Sequence, residues 1–579
     1  MRAPRSRILC LALSGLLLAA PLAPTWAQGR PQQGTQPSAS VSPWPHTMTG
    51  PNGSVTVYQP QAISWTDHRT LTARAAVEIT QKGAETPIVG TLDLQVTTAV
   101  DPAANLVRLS DPRLMGSHFP MLDTGAAMRM EEKIRAALPG IALKSVPLQA
   151  VLLSLKGTET AHPVAVNNDP PAMFYSARPA SLVVFDGEPV LAPIGGGLSY
   201  AVNTNWPVFK DGGTWYLLNG TTWLSAPAFG GPYAPVGRLP ASFNAIPNDQ
   251  NFADVRKAMP AKAPQGPVPA IFVSTRPAEI IVTDGPPKFV PVPATGLQQV
   301  TNASSDLFFD PTKGQFYFLT SGRWFSAAAL DGPWTFATGN LPPDFALIDP
   351  QGPQGHVLVS VPHSAQAQAA VLKAQIPQTG TLKRSEAKLT VAYAGGAPQF
   401  APIPGTSIRY AVNTNVQVLE VNGRFYACFQ GAWFVSAAPT GPWALAESVP
   451  QAIYTIPPSS PMYPVTYVTV QAYDPATVTY AYTAGYMMGF VTAGVLVFGT
   501  GYYYPPYIYP GRVPGYFPYP YTYAGRVWYN GATGAWARGG AVYGPYGSAR
   551  GAAYYNPNNG AWARGGAIYG PYGGAGAWS

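Results

Sequence analysis

Residues 322–334 read GRWFSAAALDGPW, and the same frame of aromatic residues recurs twice more in the chain. In every copy a tryptophan stands seven residues after a tyrosine, and a proline followed by an aromatic residue begins nine residues after that tryptophan. The frames are Tyr216, Trp223, Pro232 and Tyr233; Tyr317, Trp324, Pro333 and Trp334; and Tyr426, Trp433, Pro442 and Trp443. Spacing kept this closely within one chain indicates a duplicated structural module.

The composition of the copies favours antiparallel β-structure. Short runs rich in aromatic and β-branched residues alternate with two-residue polar turns such as Asn-Gly. The helix-like segments FADVRKAM and AQAQAAVLKAQI separate the copies, and three copies are too few to close a propeller of four or more blades. We therefore predict a mainly β chain with minor α, built on three tandem antiparallel β modules joined by short helices. Module 1 is predicted at 171–248, a helical connector with module 2 at 249–350, and a second connector with module 3 at 351–458.

An α+β domain is predicted to precede the modules, at residues 45–170. The stretches VTVYQPQAISW, LTARAAVEI, TLDLQVTTAV and LVRLSD are strand-like. Asp123 and Thr124 are predicted to cap a helix over AAMRMEEKIRAAL, which Pro139 and Gly140 end. The apolar run IALKSVPLQAVLLSL that follows is predicted to be a strand.

The two ends of the chain are predicted to lie outside these domains. Residues 1–27 have the basic start, short apolar run and small-residue cleavage site of a signal peptide. This predicts export to the periplasm, the cell surface or the medium. Residues 28–44 are predicted to be a flexible leader. At the other end, 459–511 is an apolar Tyr/Gly-rich segment, and 512–579 is a low-complexity Gly/Tyr/Arg tail that repeats with a period of 26 residues.

The uncharged stretch 475–511 leaves two alternatives open. Its apolar part, around 485–500, is long enough for membrane association, and its glycines would suit close helix packing. Glycine, tyrosine and β-branched residues equally suit strands, and the cleanest apolar core is only about a dozen residues long, shorter than a membrane span. We favour a packed β or helical element.

Charge is sparse, at 11% of residues against about a quarter in typical domains. The chain has no nucleophile elbow, phosphate-binding loop or calcium loop, and its six histidines lack metal-ligand spacing. We predict no enzymatic activity, no cofactor and no metal site. A hydrolase whose two carboxylates meet only in the fold stays an alternative. Cys428, the one cysteine outside the predicted signal peptide, is predicted to be a core residue.

The repeated aromatic residues are the candidate ligand-binding residues. Rings held on a β surface offer flat apolar faces to sugar rings, and binding of this kind needs no titrating group. The alternative is a core role, because a small module without disulfides needs large hydrophobic side chains. For Trp223, Trp324 and Trp433, within the strand pattern, we favour the core. For Tyr233, Trp334 and Trp443, at the Gly-Pro turns, surface and core stay open.

The three modules, with the stretches KRSEAKLT at 383–390 and GTGYYYPPYI at 499–508, resemble exported bacterial proteins labelled carbohydrate-binding family V/XII. The resemblance covers about residues 45–510, and it implies a secreted, non-catalytic, glycan-associated protein. The chain matches the short chitin-binding modules of that label only loosely. The predicted partner is therefore a polysaccharide or another cell-envelope polymer. The alternative is a structural or adhesive envelope protein whose aromatic residues are all core.

Outside the predicted signal peptide, the tail carries the basic excess of the chain. From residue 475 onward there are five arginines and neither lysine nor an acidic residue. Arg538 and Arg564, near Trp536 and Trp562, would suit an anionic polymer, but this charge density is low for nucleic-acid binding. We expect weak multivalent adhesion to the envelope instead, and we regard nucleic acid as an unlikely partner.

Overall fold

A computed structural model of the chain describes most residues between 44 and 502, and the backbone of five strands after residue 525. The described residues are 44–51, 53–84, 87–140, 143, 145–159, 166–185, 188–189, 191–201, 204, 206–248, 252–264, 268–303, 305–393, 397–412, 414, 416–502, 526–530, 535–544, 547–556, 561–568 and 576–578. The predicted signal peptide and the predicted leader up to residue 43 lie outside them.

The predicted fold class is confirmed: the chain is mainly β, with an N-terminal α+β domain followed by three antiparallel β modules. It divides into two compact units. The first contains residues 1–162, 376–383 and 469–481. The second contains 163–375, 384–468 and 482–579, and it carries all three modules.

The first unit is built on a seven-stranded antiparallel sheet. Its strands are His46–Gly50, Gly53–Val57, Gln61–Thr66, Thr70–Gln81, Ile88–Asp101, Leu106–His118 and Val146–Pro147. A separate three-stranded sheet has the order Gln378–Lys383, Thr477–Tyr482, Val468–Tyr473. In the larger sheet the hydroxyl of Tyr58 donates to the buried carboxylate of Glu78 at 3.0 Å, so that this acidic group has a partner in the core.

Two helices pack on the larger sheet. The predicted helix is confirmed at Thr124–Ala137, where Asp123 accepts a hydrogen bond from the backbone N–H of Ala126 at 2.7 Å. A 3-10 turn, Leu138–Gly140, follows it. The prediction of a strand over IALKSVPLQAVLLSL is wrong, because Leu148–Glu159 is a helix and only Val146–Pro147 is a strand. Leu148, Val151 and Leu155 recur at helical spacing and form one apolar cluster with Ala62 and Leu71.

Each module is a six-stranded antiparallel sheet in which strands follow one another in chain order. Module 1 has strands Leu191–Gly195, Leu198–Ala201, Val208–Asp211, Thr214–Asn219, Thr222–Ala226 and Ala234–Pro235. Module 2 has Phe289–Pro291, Gln298–Val300, Asp306–Asp310, Gln315–Thr320, Arg323–Ala327 and Thr335–Phe336. Module 3 has Phe400–Pro402, Arg409–Ala411, Gln417–Val421, Arg424–Phe429, Ala432–Ser436 and Ala444–Leu445. A 3-10 helix follows each sheet, at Ala241–Ala245, Pro343–Leu347 and Gln451–Thr455.

Both faces of the first two module sheets are packed, and alternate residues of a strand belong to different clusters. In module 1, Trp223 lies in a cluster with Phe209 and Phe243, whereas its neighbour Leu224 lies in a second cluster with Trp215. Module 2 divides in the same way, into one cluster around Trp324 and another around Phe325 and Phe318. We call these the inner face, which carries the frame tryptophan, and the outer face.

The segments that precede the sheets of modules 1 and 2 pair with each other. The strand Ala172–Ser176 pairs in parallel with Ala278–Val282, and Ala180–Val184 pairs in parallel with Ala270–Ser274. Each pair therefore takes one strand from the segment before each module. Phe174 and Phe272 contact each other between the pairs, with ring centroids 5.0 Å apart and ring planes inclined by 32°. This pairing was not predicted.

Helices confirm the predicted connectors, at Ala253–Lys257 and Ala365–Gln375. Further 3-10 turns lie at Thr338–Asn340, Gly355–Ser360, Tyr463–Tyr467 and Ala484–Met487.

The segment 485–500 is a packed hairpin of strands Gly489–Thr492 and Val495–Phe498. Its side chains Phe490, Val495 and Val497 are buried in one cluster with Ala367. These side chains therefore pack inside the protein. No helix among the described residues is long and apolar enough to cross a membrane.

A turn of module 2 holds this hairpin. The guanidinium of Arg323, fully buried, donates to the carbonyl oxygens of Phe498 at 2.8 Å and Gly499 at 2.7 Å. The backbone N–H of Phe498 donates to the carbonyl of Ser321 at 3.0 Å. The start of the GTGYYYPPYI stretch is thus tied to the central repeat.

In the tail, five strands form an antiparallel sheet in chain order: Arg526–Asn530, Ala535–Gly544, Gly547–Asn556, Ala561–Ile568 and Gly576–Trp578. The two copies of AWARGGA, 26 residues apart, pair with opposite edges of the strand Gly547–Asn556.

Candidate functional site: aromatic residues of the module sheets

The three tryptophans within the strand pattern are core residues. Trp223, Trp324 and Trp433 have no exposed surface. Each indole N–H donates to a backbone carbonyl of the segment that follows its module, at Ala258 (2.8 Å), Ser360 (2.9 Å) and Val468 (2.8 Å). As ligand-binding candidates these three are wrong, because a ring without exposed surface cannot stack on a ligand. Their role is to tie each sheet to its connector.

The 3-10 helix after each sheet completes this core. Phe243 and Phe345 meet the rings of Trp223 and Trp324 edge to face, with centroids 5.3 Å and 4.7 Å apart. In module 3 the buried residue of that helix is Ile453. The repeated spacing therefore preserves a core contact between sheet and helix.

The aromatic residues of the Gly-Pro turns of modules 1 and 2 lie against the outer face. Trp334 is buried, at 8% exposure, and packs on Phe318 with centroids 6.0 Å apart. Tyr233 and Trp443 are half-buried. The glycine two residues before each ring has a φ of +87° to +97°, which a side chain rarely adopts and which lets the turn fold the ring back onto the sheet. None of the three rings is fully exposed, and Trp334 is no longer a candidate for direct ligand stacking.

Hydrogen bonds fix two of these turn residues. The hydroxyl of Tyr233 donates to the carbonyl of Phe229 at 3.0 Å, and Nε1 of Trp334 donates to the carbonyl of Leu330 at 3.3 Å. Burial raises the pKa of Tyr233 well above its ordinary value. The polar atoms of these two rings thus donate hydrogen bonds to backbone carbonyls of their own module.

A different set of aromatic residues is open on the outer face of module 2. Phe289, Phe309 and Phe316 come from three strands and form a mutually contacting cluster, which we call the phenyl platform. Their ring centroids lie 5.3 Å (Phe289–Phe309), 4.8 Å (Phe309–Phe316) and 6.2 Å (Phe289–Phe316) apart. Phe289 is 41% exposed, and the other two are half-buried. Among the described residues of the modules, Phe289 is the only aromatic side chain in the exposed class.

Modules 1 and 3 each place a cation over a ring at this side of the sheet, and module 3 keeps two contacting phenyl rings there, Phe400 and Phe425, with centroids 5.6 Å apart. In module 1 the ammonium of Lys210 lies 5.3 Å from the ring centre of Trp215. In module 3 the guanidinium of Arg409 lies 5.6 Å from the ring centre of Phe400 and pairs with Glu420 at 2.8 Å. The three copies therefore share the tryptophan of the inner face and differ in the residues at these positions of the outer face.

Asn302 positions the strand that carries Phe289. Its side-chain amide donates to the carbonyls of Asp284 at 2.8 Å and Pro286 at 2.9 Å, and its side-chain oxygen accepts from the N–H of Lys288 at 2.7 Å. The edge strand is therefore fixed immediately before the exposed ring. The repeated asparagine was visible in the sequence, but the equivalent residues 203 and 413 lie outside the described residues.

A histidine pairs with a carboxylate in module 2. His356 Nε2 lies 2.9 Å from the carboxylate of Asp306, at the far end of the strand that carries Phe309. Within the part of the chain that the structure describes, no three His, Cys, Asp or Glu side chains are grouped to hold a metal ion. Burial raises the pKa of the Cys428 thiol, so that the thiol stays protonated and unreactive. The platform offers apolar ring surface for binding, with ring planes inclined by 36° to 53° to one another.

Comparison with protein-family models, curated proteins and solved structures finds no match. The resemblance to carbohydrate-binding family V/XII proteins stays a prediction.

Proposed function

We propose that the protein is an exported, non-catalytic binder of a carbohydrate or another cell-envelope polymer, which it contacts through the phenyl platform of module 2. The observation that carries this proposal is the exposure of Phe289 above Phe309 and Phe316. Contiguous exposed apolar surface marks interaction sites, whereas single exposed side chains are normal, and Phe289 is continuous with two further phenyl rings.

The platform is rigid, which favours binding. Phe309 and Phe316 pair directly across neighbouring antiparallel strands, and Asn302 fixes the edge strand before Phe289. Little conformational freedom is left to lose when a ligand stacks on the rings. Tyr233 and Trp443, half-buried at the turns of modules 1 and 3, are proposed as weaker secondary contacts.

Co-sedimentation of the full chain with insoluble chitin, cellulose and peptidoglycan tests the proposal. Phe289→Ala is expected to weaken retention by more than about fivefold, as for an interface hot spot. Leu347→Ala is the matched control, since Leu347 is 59% exposed in the same module but lies outside the platform. Equal retention of the two variants would remove the platform from the binding site, and no retention of the unmodified chain on any polymer would reject the proposal.

The burial of Trp223, Trp324, Trp433 and Trp334 favours a second candidate, a structural or adhesive envelope protein that makes its contacts through the tail. Truncation after residue 502 separates the two candidates and leaves the packed hairpin in place. Loss of envelope association with that truncation would favour the adhesive tail, and unchanged association would favour the modules.

A further inference from the structure

The turn beside the phenyl platform is two residues longer in module 2 than in the other two modules. In module 1 the turn between the third and fourth strands is Gly212-Gly213, and in module 3 it is Asn422-Gly423. In module 2 the turn contains two more residues and runs over 311–314, Pro-Thr-Lys-Gly. Phe309 and Phe316 stand immediately outside the residue pair that closes it.

This longer turn is built around one carboxylate. Oδ1 of Asp310 accepts hydrogen bonds from the N–H of Thr312 at 2.9 Å, the hydroxyl of Thr312 at 2.6 Å and the N–H of Lys313 at 3.2 Å. Asp310 is buried. Its charge is therefore used to shape the turn, and the turn presents Lys313.

Lys313 is exposed and forms no ion pair with any described residue. It lies three residues before Phe316, so that the two Cα atoms are at most about 11 Å apart. A long, flexible ammonium side chain at that distance can reach a ligand that rests on the Phe309 and Phe316 rings. In modules 1 and 3 the corresponding cations, Lys210 and Arg409, lie over an aromatic ring of their own module.

We propose that the polymer taken by module 2 is a carboxylate-bearing polysaccharide, with sugar rings on the phenyl platform and a carboxylate paired with Lys313. This inference rests on the proposed function and names its ligand class. A uronic acid carries its carboxylate on the sugar ring itself, so that stacking of the ring brings the anion close to the neighbouring turn. Complementary charge at the edge of an apolar patch adds selectivity and a faster encounter more than it adds affinity.

Calorimetric titration of the full chain with two soluble polymers tests this inference. Polygalacturonate carries carboxylates, and hydroxyethylcellulose is neutral. Lys313→Gln is expected to weaken polygalacturonate binding by about two- to fivefold at low salt, the range for an exposed ion pair, and to leave hydroxyethylcellulose binding unchanged. Added salt should reduce this difference.

Lys288→Gln is the matched control. Lys288 is exposed like Lys313, but it precedes the edge strand Phe289–Pro291 and is not part of the long turn. Unchanged binding in Lys288→Gln together with the loss in Lys313→Gln supports the assignment. Equal losses in both variants would indicate attraction to net charge alone, and no loss in either would overturn the choice of ligand. Failure of the proposed function looks different, because Phe289→Ala would then leave binding to both polymers unchanged.

Discussion

The hydroxyl of Tyr393, and not the indole of Trp443, holds the carbonyl of Pro439. The Tyr393 hydroxyl donates to this carbonyl at 2.6 Å, and the buried Nε1 of Trp443 has no hydrogen-bond partner among the described residues. In modules 1 and 2 the turn ring itself donates to the carbonyl four residues before it, at Phe229 and Leu330. Module 3 has thus replaced the donor and left a buried N–H unpaired.

This replacement predicts that two tyrosine-to-phenylalanine changes differ in cost. Tyr233→Phe removes the only donor seen at the Phe229 carbonyl and should lower the free energy of unfolding by about 1 kcal/mol. Tyr393→Phe releases the Pro439 carbonyl to Trp443 and should cost less than about 0.5 kcal/mol. Urea unfolding followed by tryptophan fluorescence measures both. Equal costs would show that the Trp443 indole cannot take over the carbonyl.

Trp324→Phe is expected to destabilise module 2 strongly. The change leaves the buried Ser360 carbonyl without its indole donor, a loss of about 1–3 kcal/mol in addition to lost packing. Trp334→Phe is the control, because its bond to Leu330 is longer, at 3.3 Å, and lies in the turn. The shift in urea midpoint should be clearly larger for Trp324→Phe, and a larger shift for Trp334→Phe would contradict the core assignment.

Gly322→Ala should loosen the C-terminal hairpin. Gly322 has a φ of +81°, and an added Cβ would lie 2.3 Å from the carbonyl oxygen of Leu496. Gly314→Ala isolates the backbone effect, since Gly314 has a φ of +61° with no atom near its Cβ position. The control should cost about 1–2 kcal/mol and Gly322→Ala more. Limited proteolysis around residues 489–498 should increase only in Gly322→Ala; similar proteolysis in both would mean that the hairpin does not depend on this contact.

Stability should fall as the pH rises above about 9. Burial raises the pKa of Cys428 above its ordinary value of 9.0, and burial raises the pKa of Tyr393 to about 12. Above pH 9 the unfolded chain therefore loses protons that the folded chain keeps, and alkaline pH favours unfolding. Cys428→Ala should flatten the decline between about pH 8 and 10, where the thiol is the first of these groups to titrate. Urea unfolding over that range measures it, and an unchanged decline would exclude the thiol as its cause.

The repeat frame was enough to predict three antiparallel modules, because tryptophan and proline at fixed spacing mark equivalent positions in each sheet. It did not predict the parallel pairing of the segments before modules 1 and 2. Strands such as Ala172–Ser176 and Ala278–Val282 lie about a hundred residues apart in the chain, and no hairpin turn joins them. The helix Leu148–Glu159 was predicted as a strand because a short apolar run fits a strand or a buried helix equally well.

The candidate site was harder to predict than the fold. Spacing identified the frame aromatics but not the face on which each ring lies, and Trp223 and Tyr233 in fact belong to opposite faces. Phe289, Phe309 and Phe316 were missed because they come together only through strand register. The strand register makes Lys210, Phe309 and Glu420 equivalent positions in the three modules. Only module 2 has an aromatic residue at this position, and this difference identifies module 2 once the register is known.

Hydrogen–deuterium exchange of the full chain with and without bound polysaccharide tests the central claim most directly. Ligand binding at the phenyl platform should protect peptides covering 289–291 and 309–316, with little change at the equivalent strands Phe400–Pro402 and Gln417–Val421 of module 3. Protection confined to other segments, or none with a polymer that the chain retains, would contradict the assignment of binding to module 2.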